Sequence, residues 1–296
     1  MSSKTLFHYT TFEGLKGILG EDCFRATDAY TTNDFQEIVH GIELINHYIS
    51  ESIESDEVIN KKVMEFTDYL IGKERFDKLA RGVFLTCFSS YDADKSSYDF
   101  NNGLLSQWRG YGLKQGYMLK FDTDVLLKDF VNKDREDIKG AAHVYGDVAY
   151  CNRKDFFNNQ DNKKSFDEIL KSIGQLKASP SEFNGSQKEQ ELFESILSIS
   201  FCNKHEGFRE EREYRVATAI WRDEKNERKY NVFFFEGYGG VIRSYVRVLE
   251  GKPRMALREI VVGPSSNKER NKIQIESFLK KIGVVADVKI SATPFV

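Results

Sequence analysis

The 296-residue chain contains four prolines, four cysteines and five histidines, and almost no excess charge of either sign. Cys23, Cys87, Cys151 and Cys202 lie far apart with no CxxC pair, so neither a disulfide framework nor a thiolate metal site is expected. They read as reduced, mostly buried apolar residues. The histidines show no ligand spacing, which argues against zinc. With 43 basic against 46 acidic residues, no overall field favours nucleic acid or an anionic membrane, and any basic surface must be local. No window approaches the ~20 apolar residues of a membrane span. Met1-Ser2-Ser3-Lys4-Thr5 lack the apolar stretch of a secretory signal, so a cytoplasmic protein is expected. No Ser or Cys sits in a nucleophile motif, and Gly110-x-Gly112 followed by Gly116 fits neither a dinucleotide fingerprint nor a phosphate loop.

What is present suits a folded core: 40% hydrophobic and 13% aromatic residues. Leu6-Phe7-His8-Tyr9 reads as a strand. Thr10-x-x-Glu13 then reads as a capping box, opening a helix with face Phe12, Leu15, Ile18 and Leu19 that Gly20 ends. A strand near Phe24-Arg25-Ala26 precedes a polar loop, Thr31-Thr32-Asn33. Asp34 and Glu37 cap a helix with face Phe35, Ile38, Ile42, Ile45 and Ile49, and helical material runs to about residue 80. Val83–Phe88 reads as a buried strand, 91–103 as a loop, and Leu104, Leu105, Trp108 and Tyr111 as a short helix. Strands follow at 117–121 and 144–150. Residues 152–205 are polar, Lys- and Asn-rich and helical in period, with a loop at Ala178-Ser179-Pro180-Ser181. Strands resume at 211–221, 230–236 and 241–248, and a strand–helix–strand unit over 259–290 closes the chain. The expectation is one α+β domain over residues 1–296, with a mixed, mainly antiparallel sheet, flanking helices and a helical insertion at 152–205.

Three constellations could carry chemistry. His8 ends a strand directly before a helix N-terminus, where unpaired N–H groups and the dipole favour an anion, so a phosphate could lie beside the imidazole. The plainer use of His8 is a buried side chain bonded to backbone. Read as a strand, Arg209-x-Glu211-x-Glu213-x-Arg215 puts four side chains on one face, with neighbours about 6.7 Å apart. Two carboxylates there repel by about 2.5 kcal/mol at a dielectric of 20, which flanking arginines would offset. Such carboxylates can accept sugar hydroxyls or stabilise developing positive charge; a solvated face of cross-strand ion pairs is the alternative. Trp108-Arg109-Gly110-Tyr111 could offer two rings for stacking on a base or nicotinamide, with Arg109 near a phosphate; core packing would use the rings as well. Gly263-Pro264-Ser265-Ser266-Asn267 could hold an anion, but a capped turn explains it equally.

Taken in order, these pieces resemble the bacterial and phage family called domain of unknown function 2971. The resemblance rests on Phe7-His8-Tyr9-Thr10, Thr32-Asn33-Asp34-Phe35-Gln36-Glu37, Cys87-Phe88-Ser89 and Trp108-Arg109-Gly110-Tyr111. It continues through Gly116-Tyr117, Phe121-Asp122, Lys204 to Arg215, Ile260-Val261-Val262-Gly263-Pro264 and the closing Ser291-Ala292-Thr293-Pro294-Phe295. The pattern is also similar to ADP-ribosyltransferase-like proteins. That likeness implies an enzyme using NAD as substrate without a metal, with His8 and Glu213, or else Glu211, as catalytic residues. It implies NAD contacts at His8, Tyr9, Thr10, Arg25, Trp108, Arg109, Tyr111 and Arg215, with Trp108, Tyr111 and Phe88 as choices for a middle aromatic. The partners it implies are a nucleic-acid or protein acceptor and an antitoxin, as for a toxin or phage-defence effector, and no membrane. The other reading is a non-catalytic nucleotide- or nucleic-acid-binding module.

Overall fold

The computed structural model describes residues 4–32, 35–52, 61, 82–91, 94–111, 115–128, 130, 141–150, 158, 160–178, 187–220, 231–237 and 240–294. The expected Asn33–Asp34 turn, most of the helical run to residue 80, the turn at 179–181, Cys151 and Phe295 lie outside these residues.

The first half contains β1 (Thr5–Thr10), α1 (Phe12–Glu21), β2 (Phe24–Asp28), α2 (Phe35–Ser52), β3 (Gly82–Ser90), α3 (Tyr98–Asn102), α4 (Leu105–Tyr111), β4 (Tyr117–Asp122), α5 (Thr123–Leu126), β5 (Ala141–Asp147) and β6 (Ala149–Tyr150). The second contains α6 (Gln160–Ala178), α7 (Gln187–Phe201), β7 (Asn203–Lys204), β8 (Glu213–Ile220), β9 (Phe233–Glu236), β10 (Ile242–Val248), α8 (Pro253–Ala256), β11 (Leu257–Val262), α9 (Lys268–Ile282) and β12 (Asp287–Ile290). No helix among the described residues is long and apolar enough to cross a membrane. The fold is a mixed α+β architecture on a mainly antiparallel sheet; among the described strands of that sheet, only β11 and β12 run parallel.

Strand order explains how the site is built. The path β12-β11-β4-β1-β3-β2-β10-β9 is joined by β8, which pairs with β3, and by β5, which pairs with β8. β3 is therefore shared. One edge pairs with β8 along its whole length, from Gly82↔Ile220 to Ser89↔Glu213. The other edge forks: Phe84 and Leu85 face β2, whereas Ser89 and Ser90 face β1. Between them, Thr86, Cys87 and Phe88 have no strand beside them on that edge among the described residues.

Alternation gives the sheet two apolar faces. Leu6, Phe24, Phe88, Phe121, Val216 and Ile260 pack with Leu15, Ile18 and Leu19 of α1 and Ile275 and Leu279 of α9. On the other side, Val83, Leu85, Ala217 and Ala219 pack under α2, α6 and α7, while Phe7, Tyr9, Met118 and Val261 pack with Leu104 and Trp108. Helices 160–178 and 187–201 fall within the stretch expected to be helical, and Leu192, Ile196, Leu197 and Phe201 have no exposed surface. Gly41 of α2 lets α7 approach closely, since a Cβ there would lie 3.1 Å from the Ser200 Cα.

Several local expectations are corrected. Thr10 ends β1, and Thr11 is the N-cap, its side chain accepting from the Gly14 N–H at 3.4 Å. Helix α1 runs past Gly20 to Glu21 and stops at Asp22, whose left-handed φ of 52° closes it. The segment 91–103 is not all loop: Ser97 caps α3, accepting from the Phe100 N–H at 3.2 Å. Glu206–Glu211 forms a 3-10 run rather than the start of a strand, and Arg212, at φ 45°, turns the chain so that β8 begins at Glu213.

Candidate active site

A cleft of about 740 Å³ opens at the fork, within the ~300–1,000 Å³ range of small-molecule and cofactor sites. His8, Tyr9, Thr10, Arg25, Tyr111, Glu211 and Glu213 all line it, so groups from the chain's beginning and its last third share one cavity. Trp108, Arg109 and Arg215 are not among its lining residues.

The register shows how His8 and Glu213 come together. Phe7, Ser89 and Glu213 form one row across β1, β3 and β8, with side chains on the same face. His8, one residue on, points to the opposite face. The two reach a common space because the sheet is open there. The His8 Nδ1 lies 3.1 Å from the Cys87 carbonyl oxygen, which can only accept, so Nδ1 carries the proton and Nε2 is an acceptor. Burial pushes the imidazole pKa down to about 4, against a smaller upward pull from that backbone bond. His8 is thus a neutral hydrogen-bond acceptor, not a cation awaiting a phosphate.

The acidic wall is a compact ion cluster. Arg215, wholly buried, donates from Nε and Nη2 to the two Glu213 carboxylate oxygens at 3.0 and 2.9 Å, and from Nη1 to the Phe201 carbonyl at 3.1 Å. The Lys204 Nζ lies 2.9 Å from a Glu211 oxygen and 3.6 Å from Glu213. The Tyr150 hydroxyl accepts the Glu213 backbone N–H at 2.7 Å, which fixes the start of β8. Burial acts to raise the Glu213 pKa, but the charge and hydrogen bonds of Arg215, together with Lys204, outweigh it and hold the carboxyl below its ordinary range. Glu213 is therefore ionised and held on both oxygens, whereas Glu211 has only Lys204 as an ion-pair partner among the described residues and is 30% exposed. The expectation that Arg209, Glu211, Glu213 and Arg215 share one strand face holds only for the last two. Arg209 instead donates to the Tyr150 carbonyl at 2.9 Å.

The remaining expected contacts divide. Tyr9 borders the cleft, but its hydroxyl accepts from the Leu104 N–H at 2.8 Å and bonds to the Tyr91 hydroxyl, and burial raises its pKa. Arg25 is tied to Glu21 at 2.5 Å and lies over the Tyr245 ring. Trp108 is core: its ring meets Tyr9 edge-on at 4.9 Å and its Nε1 donates to the Asn102 carbonyl at 2.9 Å, so it presents no stacking surface to the cleft. Arg109 is exposed outside the cleft. Of the three middle-aromatic choices, Phe88 and Tyr111 both line the cleft, Phe88 buried and Tyr111 55% exposed, and Trp108 lies elsewhere. The N-terminus of α1 meets the cleft through Glu13 and Gly14, and the Glu13 carboxylate makes it a poorer phosphate site than the sequence suggests.

Sequence reasoning missed Phe208, Lys204 and Arg243. Phe208 lines the cleft 45% exposed, beneath the Lys204 ammonium at 4.8 Å. His205 and Gly207 were the available signal, because the Gly207 N–H donates to His205 Nδ1 at 3.1 Å and starts the turn that presents Phe208. Among the described residues, no group of three or more His, Cys, Asp or Glu is placed to hold a metal ion.

The fold and cleft define an α+β protein with a ligand-sized slot at the fork of an antiparallel sheet. A family model described as Protein of unknown function (DUF2971) matches residues 107–216, less than half the chain, which supports the resemblance to that family. The matched stretch carries Tyr111, Lys204, Glu211, Glu213 and Arg215 and stops short of His8 and Arg243. No curated protein and no solved structure matches the chain.

Proposed function

We propose that the cleft binds NAD and that the chain is an ADP-ribosyltransferase-like enzyme. The supporting observation is that a neutral, acceptor-state His8 and the carboxylates Glu211 and Glu213 line one cavity. In this reading, His8 Nε2 accepts a ribose hydroxyl, and the exposed rings of Tyr111 and Phe208 flank the nicotinamide. The glycosidic C–N bond breaks, nicotinamide leaves with the bonding electrons, and the ionised Glu213 stabilises the positive charge that develops on the ribose. Glu211, nearer solvent, receives the proton released when an acceptor on a nucleic-acid base or a protein side chain attacks that carbon.

Nicotinamide release from NAD tests this reading. Glu211→Gln and Glu213→Gln are each expected to slow release by about 10²–10³-fold, the usual effect of removing one preorganised electrostatic contact. Thermal melting of each variant separates chemistry from misfolding, which matters most for buried Glu213. Wild-type protein that releases no nicotinamide with any acceptor, or variants that release it at the wild-type rate, would sink the proposal.

One observation favours a non-catalytic nucleotide-binding module: both Glu213 oxygens are held by Arg215, with Lys204 beside them. That reading expects nucleotides to raise the melting temperature without turnover.

A further inference from the structure

Charge pairing around the cleft leaves one group over. Six charged side chains line it: Glu13, Arg25, Lys204, Glu211, Glu213 and Arg243. Arg25 is paired with Glu21, Lys204 with Glu211 and Glu213, and Glu13 lies 3.8 Å from Lys16. Arg243 has no ion pair and no hydrogen bond among the described residues, and its Nε is buried without a partner.

The strand register explains this isolation. On β10, Arg243 stands opposite Phe235 of β9, while its neighbours Ser244 and Ile242 stand opposite Phe234 and Glu236. Alternation therefore sends the Glu236 carboxylate to the other face. The buried Asp28 carboxylate is bonded on that face too, accepting from the Ser244 hydroxyl at 3.0 Å. Gly237 lets the arginine lie close over the hairpin, since a Cβ there would come 3.0 Å from its Nε. The result is a guanidinium in the cleft wall, shielded from Glu236 and Asp28 by the sheet itself. It is carried by different strands from the Lys204–Glu211–Glu213 cluster. A buried donor left unmade is costly, and a planar fork of donors matches phosphate oxygens two at a time.

We infer that Arg243 forms an anion subsite for a phosphate or pyrophosphate group, and that a nucleotide lies with its phosphates toward β10 and its reactive end toward Glu211. The orientation rests on the proposed transferase reading; the anion subsite rests only on the unpaired arginine in the cleft. It also relocates the phosphate from the α1 terminus, where Glu13 would repel it.

Isothermal titration calorimetry with inorganic pyrophosphate and ADP, and with adenosine as a control lacking phosphate, provides the test. Wild-type protein is expected to bind both phosphate ligands. Arg243→Gln is expected to weaken both by about tenfold or more, as loss of a charge-assisted forked contact predicts, with adenosine binding and melting temperature unchanged. Arg243→Lys, which keeps the charge and loses the fork, is expected to fall between them and gives the same comparison if the glutamine variant melts poorly. Wild-type protein that binds neither phosphate ligand, or Arg243→Gln with wild-type affinity, overturns the subsite. Nicotinamide release is a separate readout. Arg243-dependent pyrophosphate binding without release sinks the transferase reading alone; release with an unchanged KM for NAD in Arg243→Gln sinks the subsite alone.

Discussion

Arg215 is the largest fully buried side chain among the described residues, and its fork is matched to Glu213. Arg215→Met would remove the nearer cation and leave that carboxylate with the Lys204 ammonium and the Cys87 side chain. A buried ion pair broken on one side costs about 3–5 kcal/mol, so urea unfolding of Arg215→Met should show a loss of that size. A loss below about 1 kcal/mol would mean that solvent reaches Glu213 freely. His8 offers a pH test. Its pKa in the folded protein, about 4, lies below the ordinary 6.5, so the unfolded chain binds the proton first. Its contribution to stability is complete above pH 6.5 and declines as pH falls toward 4. The Glu213 pKa is also lowered, from 4.5, so its contribution is present above pH 4.5 and is lost as pH falls through the lower folded value. Both act in the same direction, toward acid lability. An NMR titration of the His8 ring should find a midpoint near 4; a midpoint near 6.5 would show that the imidazole is solvated.

Elements differed in how openly the sequence announced them. β3 and β4 could be read because each is a mostly apolar run buried on both sides, β1 because Leu6, Phe7 and Tyr9 precede a helix start, and α1, α2 and α4 because their apolar positions recur at helical spacing. The turn at 206–212 was misread for a physical reason. Charged residues at every second position fit a strand face, but the same residues fit a 3-10 run once Arg212 takes a left-handed backbone. Arg243 stayed hidden because its importance comes from pairing β10 with β2 and β9, a long-range outcome that no local pattern carries. Where β11 ends, packing dominates: a Cβ on Gly263 would meet the Trp108 ring at 2.7 Å and the Gly116 carbonyl at 2.9 Å. Gly263→Ala should therefore destabilise by about 1–3 kcal/mol through overpacking. In α1, Gly20 has no atom within 4 Å of such a Cβ, so Gly20→Ala should stabilise by up to ~1 kcal/mol. Calorimetric melting of the two variants checks the contrast, and shifts of equal sign would refute it.

At the scale of the molecule, α6 and α7 are a structural layer. They carry Phe166, Ile169, Leu192, Ile196 and Phe201 into the core beneath Leu85, Ala217 and Ala219, and the chain after α7 delivers Lys204 to the cleft. Deleting residues 160–201 should abolish cooperative unfolding, because it leaves α2 as the one covering helix on that face of β3 and β8 among the described residues and takes the Phe201 carbonyl from Arg215. A cooperative melt retained by the deletion, followed by circular dichroism, would show the layer to be dispensable.

The interruption beside Thr86, Cys87 and Phe88 bears on how a guest would be felt by its host. Wedged between two diverging strands, a bound molecule stands where a neighbouring strand would otherwise complete the ladder, and it touches β1 on one flank and β2 with β10 on the other. Occupancy would then add a second bridge to two flanks that already meet through α1 and the Phe24–Phe121 contact, so slower amide exchange should spread into both flanks together rather than stay confined to the residues in contact.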